Sequence, residues 1–177
     1  RPEGERVFRL PRRHRSVTAE TIAQTREEDD QQEPVVVQHV DMTAAIGIRQ
    51  ERTRRHHALV TDIALAMQQQ GFELTEDPFD VLCNHQQRNP VLIEVKSLDG
   101  TADDEKAQVR SALAQLLYYA AFDVGEPLQA RRTIKAAVFE LEISEEHRRF
   151  LQGHGCVVLW RVGGGFEGIE QILQANP

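Results

Sequence analysis

Asp80, Glu94 and Lys96 are the residues whose types and spacing suit them best to chemistry. Glu94 and Lys96 lie two apart in the run Val91–Ser97, so in a strand they share one face. Asp80 is the second residue of the preceding apolar run, Phe79–Cys83. A turn centred between Gln87 and Arg88 brings it opposite the Glu94–Lys96 pair, to within about one residue of register. Ionised groups in an otherwise oily hairpin are costly unless they pair or hold a metal. Two carboxylates and an ammonium suit metal-assisted phosphodiester hydrolysis. Hard oxygen ligands hold Mg²⁺, which lowers the pKa of a bound water and neutralises charge building on the transition state. Lys96 would first position the attacking water; acting as a general base would require desolvation to bring its pKa down.

The positioning elements follow from periodicity. Val91–Ser97 is apolar on both parities apart from Glu94 and Lys96, as expected of a strand in the middle of a sheet. Upstream, His56, Leu59, Val60, Ile63 and Met67 recur at three- and four-residue steps, which predicts a helix from about Arg49 to a C-cap at Gly71. We read His56 first as a core histidine bonded to a carbonyl, with a group reaching the charged hairpin as the alternative. Glu51 is a weaker candidate for an extra metal-side carboxylate. Phe72–Leu74 reads as a short strand before turn residues Glu76 to Pro78.

After the hairpin, Asp99 to Thr101 form a turn, and Thr101 or Asp103 caps a helix of about Asp104–Phe122. Gln108, Ser111, Gln115 and Tyr119 lie beside its core positions, and Gln115 borders the core either as a satisfied amide or as a group aimed at the hairpin. Glu126-Pro127 breaks that helix. Strands over Ile134–Ile143 and Cys156–Val162 flank a helix opened by Ser144, and an amphipathic turn or two, Phe166–Leu173, ends the pattern. The class is α/β.

Hydrophobic content of 40% and charged content of 28% exclude a disordered chain, and 177 residues suffice for one core of ordinary size. No apolar run approaches the ~20 residues of a membrane span. No signal-peptide pattern is read, and Cys83 and Cys156 read as buried free thiols, so a cytoplasmic protein away from the membrane is expected. The net charge of −7 argues against simple coating of nucleic acid, although arginines cluster at 12–15, 49–55, 131–132 and 148–149. Residues 1–45 alternate basic and acidic blocks and read as an N-terminal arm or linker, partly extended, with Val35–Val37 a possible edge strand. Gly163–Gly165 is a turn, since no Lys-Ser/Thr follows to make a phosphate loop.

An acid-x-Lys tripeptide alone carries little. Two of the three lysines fit it, and Asp104-Glu105-Lys106 lacks a strand and a partner acid. Pro78-Phe79-Asp80, then Ile93-Glu94-Val95-Lys96, then the helix from Gln108 through Gln115 to Tyr119 together resemble the PD-(D/E)XK nuclease superfamily, with a Gln-x-x-x-Tyr spacing similar to its RecB-like branch. The resemblance implies a restriction-endonuclease-like core, an α-βββ-α-β mixed central sheet flanked by helices, over residues 46–177. It also implies an Mg²⁺-dependent nuclease, with Mn²⁺ able to substitute, acting on DNA as an endonuclease in restriction, phage defence or repair. Asp80, Glu94, Lys96 and Gln115 would be catalytic, and Asp80, Glu94 and the Val95 carbonyl would be metal ligands. Ser97, Tyr119 and His56 would contact substrate. A homodimer or a larger assembly would be expected where both strands are cut. The alternative is a catalytically inactive module of this fold that binds nucleic acid or a protein, with Asp80–Lys96 a buried ion pair.

Overall fold

The computed structural model describes residues 15–24, 42–124 and 132–175. Its centre is a seven-stranded mixed sheet whose strands lie side by side in chain order. They are β1 (Arg15–Val17), β2 (Glu73–Glu76), β3 (Val81–Asn84), β4 (Val91–Lys96), β5 (Ile134–Phe139), β6 (Cys156–Val162) and β7 (Gly165–Glu167). The helices are α1 (residues 19–24), α2 (Met42–Gln69), α3 (Ala102–Phe122), α4 (Glu145–Gly153) and α5 (Ile169–Gln174). The β4–β5 and β5–β6 pairs are parallel and the others antiparallel. Parallel neighbours need a long crossover, and α3 and α4 supply the two of them.

Alternation along β4 divides the core. Val91, Ile93 and Val95 face Leu59, Val60, Ile63 and Met67 of α2, while Leu92 faces Val109, Ala112 and Leu116 of α3. Buried on both sides, β4 is the most enclosed strand of the central pairs, and truncating one of its residues such as Ile93 to Ala should cost about 2–5 kcal/mol. The end of α2 is set by Gly71. Its φ of +85° lets the Gly71 and Phe72 amides turn back to the Gln68 and Met67 carbonyls.

Several boundaries differ from the sequence reading. The helix expected from about Arg49 is α2 and begins at Met42, so it crosses the expected arm boundary at residue 45. Part of that arm is structured. Arg15–Val17 pairs with β2, and Ile22 is fully buried in the α2-side core. Val35–Val37, the charge block at 26–33 and Glu126-Pro127 lie outside the described residues. The strand expected at Phe72–Leu74 runs instead over Glu73–Glu76, because it follows the β3 ladder, Leu74 opposite Cys83. The strand expected to reach Ile143 stops at Phe139, where its partner β4 has ended. An edge strand, β7, occupies part of the expected terminal amphipathic turn. No helix among the described residues is long and apolar enough to cross a membrane.

Candidate active site

The charged residues collect where β4 leaves the sheet. Glu94 and Lys96 follow Leu92 on the α3-facing side, and their side chains are only 4% and 13% exposed. Lys96 Nζ donates to Glu94 Oε1 at 2.6 Å and to Gln115 Oε1 at 2.7 Å. Gln115 Oε1 also accepts from Ser111 Oγ at 2.9 Å, one turn back on α3. The amide that the sequence left between two roles is therefore aimed at the hairpin and fixes the ammonium. α3 starts where it does because Thr101 accepts the Asp104 amide as N-cap, and Asp103, Asp104 and Glu105 occupy the positive end of its dipole.

Asp80 stands one residue before β3. The observed ladder pairs Val81 with Ile93, so its continuation sets Asp80 opposite Glu94, one step from the register read off the turn. Backbone pairing stops at Val81, and the Asp80 carboxylate takes over: Oδ2 accepts the Val95 amide at 2.8 Å. Oδ1 lies 3.3 Å from His56 Nε2 on α2. His56 is thus a partner of the cluster and not the carbonyl-bonded core histidine read first. The Lys96 carbonyl accepts the Glu140 amide at 3.1 Å, so it points toward β5. Successive residues of a strand direct their N–H and C=O to opposite edges, which turns the Val95 carbonyl toward Asp80.

The electrostatics single out Glu94. Burial, then the negative charge of Asp80, raise its carboxyl to about 7 against the pull of Lys96. The two carboxylates are therefore close enough to oppose each other's ionisation, and a cation or a proton between them would relieve that. Lys96 pairs with Glu94, which shares its face two residues away, and the Asp80 carboxylate meets the strand edge at the Val95 amide.

A second group of charges, read only as clustered surface arginines, braces the site. Arg52 donates to the Ser97 carbonyl at 2.8 Å and to Asp104 at 2.8 Å. Arg55 donates to the Leu98 carbonyl at 3.0 Å and to Glu140 at 2.9 Å, and Glu140 accepts the Leu98 amide at 3.2 Å. The chain leaving β4 has lost its ladder partners, and these side chains replace them. A sequence signal existed: Arg52, Arg55 and His56 continue the Leu59–Met67 stripe at the same three- and four-residue steps.

The remaining candidates lie elsewhere. Ser97 is buried, and its role here is the carbonyl that Arg52 holds. Tyr119 meets Phe79 edge-on at 5.6 Å and packs against the α3-side core. The Glu51 side chain is 60% exposed and pairs with Arg54. Asp104, of the second acid-x-Lys, is occupied by Arg52. Cys83 and Cys156 are buried, and burial pushes both thiols up, so neither supplies a thiolate at neutral pH.

No family model, curated protein or solved structure matches this chain.

The donor chemistry can be tested against a divalent ion. No group of three or more His, Cys, Asp or Glu side chains suited to a metal occurs among the described residues. The Asp80 and Glu94 carboxylates and the Val95 carbonyl are nonetheless hard oxygen donors of the kind Mg²⁺ takes, with water in its other positions. The mutual repulsion of Asp80 and Glu94 is the feature such an ion would neutralise. The residues fit.

Proposed function

We propose that this chain is a metal-dependent nuclease of the PD-(D/E)XK kind, with a restriction-endonuclease-like core, hydrolysing phosphodiester bonds in DNA. The observation that carries the reading is the Lys96 ammonium held between Glu94 and Gln115 while Asp80 caps the same strand edge. Asp80, Glu94 and the Val95 carbonyl would hold Mg²⁺, which when bound supplies Lewis-acid stabilisation of the phosphate and a more acidic water.

The chain's own groups do the rest. Two of the three Lys96 donors are engaged among the described residues, and the third would orient a water or a phosphate oxygen. Gln115, anchored by Ser111, keeps that ammonium from swinging wholly onto Glu94. His56 and the Val95 amide hold the Asp80 carboxylate from opposite sides, so its orientation is set before substrate arrives. Arg52 and Arg55 keep the end of β4 in place against α2. The buried thiols leave a cysteine mechanism without a nucleophile.

The test is Mg²⁺-dependent cleavage of circular and linear DNA by the purified chain and by Asp80→Ala and Lys96→Ala. Loss of cleavage in both variants, with far-UV circular dichroism unchanged, is the expected outcome. Cleavage at the wild-type rate by either variant would remove the assignment. The closed Lys96–Glu94 contact also favours a second reading, a catalytically idle module of the same fold; it predicts no divalent-ion affinity at Asp80 in a calorimetric titration.

A further inference from the structure

β7 is an edge of the sheet, and no strand lies beyond it among the described residues. It is joined to β6 by the two-residue turn Gly163-Gly164, with a φ of +57° at Gly163 that suits a hairpin turn needing glycine first. Such a turn is closed by a hydrogen-bonded pair, here Val162 with Gly165. The next pair, Arg161 with Phe166, is then the non-bonded one, and Phe166 directs its N–H and C=O away from β6 to the open edge. An antiparallel strand laid there would exchange both bonds with Phe166 through one residue. The side chain of that residue would fall on the same face as the Phe166 ring. The ring is buried in the core beneath α2, so that face is the one α2 covers.

On that face there is space for a side chain. A cavity of about 470 Å³ opens beside β7, lined by Leu65 and Ala66 of α2, the Phe166 ring, Ile169 of α5, and Gly164 and Gly165. Leu65 is 48% exposed, an apolar surface that an aliphatic side chain would cover. A Cβ on Gly164 or Gly165 would meet nothing within 4 Å, and neither has a positive φ. Neither packing nor backbone conformation therefore calls for glycine at these two positions; their missing side chains leave the edge open to another backbone. The opposite face carries charge. Residues flanking the one opposite Phe166 would lie on the side of Glu167, which pairs with Trp160. Glu167 and Glu170 are exposed, and Arg161, the cation of β6, is taken by Asp62, so neither acid has a cationic partner among the described residues. Acidic side chains on an edge repel most strands and admit a basic one.

We propose that the β7 edge is a docking site for an extended basic–apolar–basic segment of a partner protein. The segment adds as one more strand, with its apolar side chain in the cavity beside Leu65 and Ile169 and its cations beside Glu167 and Glu170. Main-chain bonds supply affinity in such an arrangement, and alternate side chains supply specificity. The site lies three strands from β4, and it stands whether or not the chain cleaves DNA.

The test uses the whole chain and a labelled peptide, Lys-Val-Lys-Leu-Lys-Val-Lys, with binding followed by fluorescence anisotropy and hydrogen exchange at the Phe166 amide followed by NMR. The wild type should bind the peptide, and the Phe166 amide should exchange more slowly in the complex. The same peptide N-methylated at its leucine cannot donate to the edge and should bind about 10-fold more weakly. Leu65→Lys, at an exposed position, should lose on the order of 10-fold with far-UV circular dichroism unchanged. Glu167→Lys/Glu170→Lys should lose roughly 10-fold and prefer the peptide carrying Glu in place of Lys. No binding to the wild type, equal binding of the N-methylated peptide, or charge reversal without the swap in preference would each overturn the proposal. So would a Phe166 amide already protected in the protein alone. A dimer by sedimentation would then mean that a second copy covers the edge, and a monomer that the chain covers it itself.

Discussion

Glu94, on β4 facing α3, and Glu105, on α3 itself, are driven in opposite directions by their surroundings. Burial and the facing Asp80 push the Glu94 carboxyl up to about 7, with Lys96 only partly opposing. Burial also acts upward on Glu105, but bonds from the Ser144 hydroxyl, His147 and the Ser144 amide outweigh it and hold the carboxyl below its ordinary value. Ser144, His147 and Glu105 are residue types that elsewhere make a hydrolytic triad. Here the hydroxyl and the carboxylate both address the same imidazole nitrogen, Nδ1, so no relay runs through the ring. The difference teaches how one fold leaves a carboxylate under-compensated against another acid while it holds a second by several bonds to the next helix.

The comparison breaks most decisively on activity. Asp80→Ala and Lys96→Ala should each lower Mg²⁺-dependent cleavage by about a thousandfold or more, measured as initial rates on plasmid DNA, while Glu105→Ala should leave cleavage within a few fold. Equal losses at Glu94 and Glu105 would erase the distinction drawn between them. Gln115→Ala should cost less, roughly 10- to 100-fold, with cooperative urea unfolding preserved; a collapse of folding instead would make Gln115 a core amide.

Stability against pH sharpens the same contrast. Glu94 has a raised folded value, so its contribution is whole below the unfolded carboxylate range and is lost as pH climbs toward about 7. Glu94→Gln in EDTA should therefore gain up to about 3 kcal/mol relative to wild type at pH 8 and little at pH 4, by urea melts. Glu105 has a lowered folded value, so its contribution is present above the unfolded range and is lost as pH falls through it. Glu105→Gln should be destabilised by about 1–2 kcal/mol at pH 8, with the deficit shrinking in acid. Parallel pH profiles for the two variants would contradict the assigned environments.

Much of the site was legible because strand and helix periods are short-range. A two-residue step puts Glu94 and Lys96 on one face whatever the rest of the fold does, and a single turn limits how far Asp80 can slip. The α3 stripe was legible for the same reason. Less legible were Arg52, Arg55 and Glu140, whose partners are carbonyls and amides at the end of a strand 42 to 45 residues away, or 85 for Arg55 with Glu140. An arginine on a helix looks the same in sequence whether it meets water or an unpaired backbone. The edge strands β1 and β7 escaped notice because each spans only three residues, too few to display an alternation.

By itself, the chain's pattern determined the α/β class, the buried hairpin, the helix bearing Gln115 and the convergence of two acids and one lysine, all set by spacing along neighbouring residues. Which acid the lysine pairs with, whether His56 meets a carbonyl or Asp80, and how far each carboxylate is driven from its ordinary ionisation were decided only by the packed fold. Those outcomes depend on where strands end and on which groups from distant helices arrive to replace lost partners, and burial gives them their energy.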